Sequence, residues 1–291
     1  MTTEEVLLGT GGPIEVSVLP AAGARLHRMR VLGHDVLRTP LDPGEHEREP
    51  FFWGAYVMAP WCNRLLGTPI DFRGSIIDPQ PNFEDGSAIH GQVYAAPWER
   101  VADNAFAIEA GGDGWPWRYR VESAVEIDSL TLSLNLRLTN LSESTMPGGI
   151  GLHPWLAGSP VVTINAELAY ASNVDPSAQP APVSDDLDMR RPRRLTPGID
   201  ATWTGLARPP VELGWPDLGL TATLEAHGAS HIVAASVTAR SAIAVEPQTH
   251  APHGLRRLLN RDPGGLDVID PGAAIELRLA YAFRSVDGSP A

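Results

Sequence analysis

The sequence predicts an all-β fold with sheets packed face to face. Three observations carry that prediction. Apolar residues alternate with their neighbours at period two in run after run, which gives each strand one buried and one solvated face. No amphipathic stretch longer than about two helical turns is convincing. The 291 residues also include 28 glycines and 27 prolines, well above the roughly 12% total of ordinary proteins, which suits many short strands joined by turns.

The elements follow in order. Ile14, Val16 and Val18 alternate near the start. The longest stretch free of Gly and Pro, from Trp117 to Met146, is the best place for a long helix and does not read as one. Tyr119, Val121, Val125 and Ile127 fall on odd positions. The phase flips after Asp128-Ser129, and Leu130, Leu132, Leu134, Leu136 and Leu138 fall on even ones. Two such runs across a short polar break predict a β-hairpin. Val162, Ile164, Ala166, Leu168 and Tyr170 continue the pattern, then Leu218, Leu220, Ala222 and Leu224, then Ile275, Leu277, Leu279 and Tyr281. Residues 171–208 are dense in Pro and Asp and predict a long loop of functional interest. No linker or fixed-period repeat divides the chain, so residues 1–291 are expected to form a single domain.

The bulk properties exclude several classes. A formal net charge of -13 argues against nucleic acid or an anionic membrane as the main partner. Cys62 stands alone, so no internal disulfide forms, which suits a reducing compartment. The amino-terminal "MTTEEVLLGT" has neither a basic n-region nor a long apolar run, and no segment reaches the ~20 apolar residues of a membrane span. A cytoplasmic protein is expected.

One stretch stands out. "AIAVEPQTHAPHG" ends an apolar run in a carboxylate, Glu246, held between Val245 and Pro247. Pro247 fixes φ and restricts the residues before it to extended geometry, so the carboxylate is aimed. Other polar groups stand beside Gly, Pro or Trp: Asn63 and Arg64 in "APWCNRLLG", His90 in "AIHGQVYAAPWE", His153 in "GIGLHPWLAG" and Asp200 in "LTPGIDATWTGL". Scattered acid–base groups on strand ends and loops are what a sheet-built pocket looks like. Each also has an ordinary alternative: an exposed acid at Glu246, a surface ion pair at Arg64, a turn histidine at His90, a carbonyl-bonded histidine at His153, a cap at Asp200.

Competing motifs are weaker. "HAPH" sets His250 and His253 three apart, but Pro252 argues against a helix between them and no third ligand is near, so no metal is expected. "GGIG" at Gly148–Gly151 lacks the spacing of a dinucleotide loop. "RRPRR", Arg190–Arg194, is the one basic cluster, a solvated loop or a contact for a phosphate. No Gly-x-Ser-x-Gly elbow occurs, and Cys62 carries no signal of a nucleophile.

Read in order, these fragments resemble the aldose 1-epimerase (galactose mutarotase-like) family over most of the chain. "VSVLPAAGARLHRMRVLGHDVLR" is similar to the family's opening hairpin. Asn63-Arg64 matches its Asn-Arg pair, and Ile89-His90-Gly91 with Trp98 its His-Gly motif and downstream Trp. "DGWPWRYRVESAVEI" is similar to its Gly-aromatic-Pro turn and following strand, "GLHPWL" to its His-Pro-aromatic motif, and "VEPQTHAP" to its late Glu segment.

The resemblance implies a large antiparallel β-sandwich of the supersandwich type. It implies Glu246 as general base and His153 as general acid, with Arg64, His90 and Asp200 holding sugar hydroxyls and Asn63 assisting. Trp155, Leu156 and Ala157 follow His-Pro where the family often has Tyr-Phe and then Asn, and Cys62 precedes the Asn-Arg pair where a small residue is usual. These departures bear on sugar specificity more than on reaction type.

The implied reaction exchanges α and β anomers of a free aldohexose such as glucose or galactose. The C1 hydroxyl loses a proton and the ring oxygen gains one, which one base and one acid on opposite sides of the C1–O5 unit accomplish. Glu is ionised at neutral pH, and a His near 6.5 holds a proton where its environment favours it. Arg64 offers planar donors, and Trp61, Trp98 and Trp155 offer either sugar-facing rings or core packing. No cofactor is expected, and the partner is a small-molecule sugar bound by a monomer or homodimer. The alternatives are a hexose-6-phosphate 1-epimerase, favoured by "RRPRR" alone, a non-catalytic carbohydrate-binding protein on this fold, and a carbohydrate lyase or hydrolase.

Overall fold

The computed structural model describes residues 4–237 and 242–286. Among the described residues, 17 strands join one large antiparallel sheet that curls into two facing layers, with three two-stranded ribbons beside it. No helix among them is long and apolar enough to cross a membrane. The longer of the two α-helices, Gly254–Asn260, is seven residues.

The hairpin forms where the phase flip predicts it. Trp115–Asp128 pairs with Thr131–Asn140, and Ile127 faces Leu132 across the turn. Leu132, Leu134, Leu136 and Leu138 are all buried, and each contributes roughly 1.5–3 kcal/mol of apolar burial. Thr131–Asn140 pairs onward with Ala274–Ser285, which pairs with Leu220–His227. These strands build one layer.

The other layer runs through Arg25–Val31, Ala55–Met58, Gly151–Leu156, Ala242–Gln248 and His231–Val237. Its odd-even alternation is hidden because both faces are covered. Ala55, Val57, Leu152, Leu156, Ile243 and Val245 face the main core between the layers. Tyr56, Met58, Trp155, Ala242 and Ala244 form a second buried cluster on the opposite face. That second face carries the candidate site.

Residues 171–208 depart from the predicted loop. The irregular part ends at Ile199, and Asp200–Trp215 is a strand of 16 residues, the longest described. It runs from one layer to the other. Its first part, Asp200–Thr204, pairs with His231–Val237, and its last part, Val211–Trp215, pairs with Leu220–His227. The Arg208-Pro209-Pro210 segment lies at this changeover, where the register with Val161–Tyr170 also shifts. Pro cannot donate to a ladder, so it marks the break between partners rather than the end of the strand. Leu218 also leaves its predicted run: it sits in a 3-10 turn, and the strand begins at Leu220.

Candidate functional site

A single cross-strand row assembles the site. His153 pairs with Tyr56. The pairings of Gly151 with Gln248 and Trp155 with Ala244 set His153 opposite Glu246. Glu246 pairs with Val233, and Val233 with Thr202. At the other end, pairing of Leu26 with Ala55 sets Arg25 opposite Tyr56. Neighbours in such a row project from the same face of a sheet, so one ladder lines up Arg25, Tyr56, His153 and Glu246.

The six residues singled out in the sequence form one connected group. His153 Nε2 lies 3.2 Å from Glu246 Oε1. The His90 and His153 rings meet edge to face at 5.1 Å. Asn63 donates its backbone N–H to His90 Nδ1 at 3.3 Å, and Asn63 Oδ1 accepts from the Arg64 N–H at 2.8 Å. Arg64 Nη1 lies 3.5 Å from Asp200 Oδ2. Asn63 and His90 both adopt positive φ, 56° and 62°, so the Asn-Arg and His-Gly motifs are tight turns. Arg64 and Ile89 then pair as a short ribbon.

The two groups expected to flank the C1–O5 unit, Glu246 and His153, are in direct contact with each other. They are cross-strand partners, so no sugar fits between them. Both are buried, Glu246 at 2% exposure and His153 at 5%. Burial pushes the Glu246 carboxyl well above its usual range; the Asp200 charge adds to this and Arg64 opposes it. Burial pushes His153 well below its usual value, with His90 and Arg25 adding to the effect. The surroundings thus favour a neutral carboxylic acid beside a neutral imidazole, the reverse of the expected charged pair. Glu246 Oε2 and His153 Nδ1 are buried with no hydrogen-bond partner among the described residues. Buried polar atoms in native proteins are nearly always paired, so such atoms point to a ligand or a proton in motion.

Several neighbours were not legible in the sequence. Tyr56 stacks on His153 at 4.7 Å with planes 25° apart. Asp85 holds Arg64 Nε at 2.7 Å, and Phe83 lies 5.5 Å from its guanidinium carbon. Half-buried Phe51 meets Phe83 and His90 at the rim. Asn173 donates to Asp200 Oδ1 at 2.5 Å and accepts from the Thr202 hydroxyl at 2.6 Å. Of the tryptophans, Trp61 and Trp98 belong to the main core, whereas Trp155 packs 4.9 Å from His153. Asp200 is the more open end, its side chain 37% exposed against 12% for Arg64.

The competing motifs have other partners. His250 accepts from the Cys62 N–H at 3.0 Å, and its other ring nitrogen lies 2.7 Å from the Ala251 carbonyl. His253 Nε2 lies 3.1 Å from the Asn173 carbonyl. In "RRPRR", Arg190 pairs with Asp188 and Arg193 with Asp186.

The sequence profile of the family described as Aldose 1-epimerase matches residues 5–233. Over 132 residues, 44% of this chain, the sequence is 28% identical to the uncharacterized protein YphB of Escherichia coli K12, and the match spans only 46% of that curated relative. Three solved structures share the fold. A provisionally assigned aldose 1-epimerase from Escherichia coli K12 has a TM-score of 0.82 at 20% identity, over 97% of this chain and 99% of that one. A galactose mutarotase-like protein from Clostridium acetobutylicum has a TM-score of 0.81 at 15% identity, over 94% and 93%. Galactose 1-epimerase from Lactobacillus acidophilus NCFM has a TM-score of 0.76 at 15% identity, over 97% and 94%.

Proposed function

The chain belongs to the aldose 1-epimerase family, and we propose that it interconverts the α and β anomers of a free aldohexose at the Glu246–His153 pair. One observation carries the proposal: a carboxyl and an imidazole 3.2 Å apart, each with a buried nitrogen or oxygen left unpartnered among the described residues. The two oxygens that exchange protons in mutarotation, O1 and O5, are bonded to the same carbon. Two adjacent groups on one side of the sugar therefore suit them.

The proton balance is complete within the pair. Once the proton shared by the pair moves from Glu246 to His153, Glu246 as carboxylate takes the proton of the C1 hydroxyl while His153 as imidazolium gives one to O5. The C1–O5 bond breaks with its electrons going to O5, and C1 becomes an aldehyde carbon. Glu246 is then a neutral acid and His153 a neutral imidazole, the arrangement that burial favours. Rotation about C1–C2 presents the other face of the aldehyde. His153 takes back the proton on O5 as O5 attacks C1, and Glu246 returns a proton to O1. Arg64, His90 and Asp200, with Asn63 behind them, hold the remaining hydroxyls.

A free sugar is favoured over a phosphorylated one by the place of the basic cluster. Arg193 bridges to Val162, while Thr202, two residues from Asp200, pairs with Tyr170 at the other end of the same strand. Eight residues at ~3.3 Å each put these ends ~26 Å apart, far beyond the span of one hexose. The single buried Cys62 and the net charge of -13 fit a cytoplasmic setting.

The test is anomer exchange, followed by polarimetry or NMR on freshly dissolved α-glucose and α-galactose and on glucose 6-phosphate. Acceleration with the free sugars supports the proposal. Acceleration confined to the phosphate ester replaces the substrate, and sugar binding without acceleration leaves a binding protein.

A further inference from the structure

Arg25 is wholly buried and lies at the far end of the row that carries the Glu246–His153 pair. Burying a cation is costly unless its surroundings compensate. Among the described residues its partners are not carboxylates. Its guanidinium donates to the carbonyls of Trp53 at 2.9 Å, Pro50 at 2.5 Å and Tyr94 at 3.1 Å. It also meets His46 Nδ1 at 3.3 Å, and His46 in turn meets His27 at 2.9 Å. Its Nε has no partner among the described residues. The guanidinium carbon lies 4.6 Å from the centre of the Tyr56 ring, and the imidazole of His153 stacks on the same ring at 4.7 Å. Arg25 and His153 occupy the two strands that flank Tyr56, so the ring stands between them.

We propose that Arg25 is a positioning residue for anomer exchange, a buried cation that acts on His153 through the ring of Tyr56. The inference rests on the functional reading above. Tyr56 fixes the plane of the imidazole, and the charge behind it disfavours a second cation in front of it. The proton shared by the pair is therefore biased toward Glu246. That is also its position in the ring-opened stage, so Arg25 lowers the ring-opened stage relative to the charged pair. Among the described residues, the titratable or charged groups facing this row include His90 beside His153, Asp200, Arg64 and Cys62 around Glu246, and His46, His27 and Tyr94 around Arg25. The imidazoles of His46 and His90 are themselves held down to about 3, so they stay neutral and leave Arg25 as the cation behind the stack.

The experiment compares wild type with Arg25→Met and Arg25→Lys, reading the pH profile of kcat/KM and the protonation of His153 by nitrogen-15 NMR. A unit charge at most ~9 Å away, at an effective dielectric constant near 20, moves a titration by about one pH unit. Arg25→Met is expected to raise the acid limb of the profile and the His153 titration by about that much. Arg25→Lys, which keeps the charge but loses the fork, is expected to leave both in place while lowering stability. Equal displacement in the two variants, or none in either, overturns the proposal, since a purely structural arginine predicts one or the other. If neither variant folds, the wild type still decides: His153 must be neutral from pH 5 to 8, and an imidazolium at pH 7 rules the idea out. Absence of anomer exchange in the wild type defeats the functional reading alone, because the NMR titration does not depend on it.

Discussion

Asn173 donates its side-chain amide to Asp200 at 2.5 Å. The same side chain accepts the Thr202 hydroxyl at 2.6 Å, and its backbone carbonyl meets His253. Asp200 is thus gripped from behind while its other oxygen faces Arg64 at 3.5 Å. The grip orients a partly exposed carboxylate that would otherwise sample several rotamers.

Asn173→Ala is expected to release Asp200 and strand the buried Thr202 hydroxyl. Losing a buried hydrogen-bond partner costs about 1–3 kcal/mol, which thermal unfolding reads directly. KM for the sugar should rise several-fold with a smaller change in kcat. An unchanged KM removes Asp200 from substrate binding.

Glu246→Gln should retain sugar binding and abolish most anomer exchange, and His153→Asn should slow it by roughly 10²–10⁴, the range for a general acid–base group. The Glu246 variant should also be more stable than wild type at neutral pH. The raised carboxyl keeps a proton in the folded chain that the unfolded chain gives up, so its contribution is fully present below the ordinary 4.5 and lost as pH rises through the raised value. Gln carries no such loss. A Glu246→Gln protein that unfolds at lower temperature than wild type at pH 7 contradicts this account of the burial.

Acid should destabilise the fold through its other histidines. Burial, the first cause in each case, lowers His46, His90 and His231 to about 3 and His250 to about 4. An unfolded histidine titrates near 6.5, so below that pH the unfolded chain binds protons that the folded chain refuses. Stability is therefore full above about 6.5 and lost as pH falls toward 4 and 3, by up to about 1.4 kcal/mol per pH unit for each histidine. Unfolding midpoints measured from pH 7.5 to 4.5 should fall continuously. A flat profile would mean that these rings are solvated. Because the charges acting on His231 are His250 and Arg257, not Glu246 or His153, replacing it with Gln should flatten the profile without altering the pH dependence of turnover.

Gly91→Ala should disrupt the turn that presents His90. Gly91 has φ +74°, and an added Cβ would stand 1.9 Å from the Ala59 carbonyl oxygen. A backbone atom cannot yield cheaply, so the change is expected to cost at least ~2 kcal/mol. The loss of turnover should exceed what the unfolded fraction explains, because His90 touches His153. Full specific activity in the folded fraction would mean that the turn tolerates the shift.

The basic cluster gives the opposite expectation. Replacing Arg190 and Arg193 together by Ala should leave the ratio of rates on glucose and glucose 6-phosphate unchanged, since both arginines are paired locally and Arg193 bridges to Val162, at the end of Val161–Tyr170 away from Asp200. A selective loss with the phosphate ester would bring the cluster into the site.

The sequence by itself determined the strands with one wet face, Trp115–Asp128 and Thr131–Asn140 above all, because solvent on one side forces alternation. It also marked the chemically unusual residues, since an acid after "AIAV" or a histidine before Gly or Pro is conspicuous where it stands. Tertiary structure decided the rest. Ala55–Met58 and Gly151–Leu156 are buried on both faces, so their periodicity vanishes and Tyr56 reads as one more core residue. Arg25 and Asn173 carry no local mark at all. What gives each its place is a partner on another strand or loop: Tyr56 for Arg25, Asp200 for Asn173. Register sets the cross-strand partners, and it is fixed when whole strands pack together. The adjacency of His153 and Glu246 has the same origin.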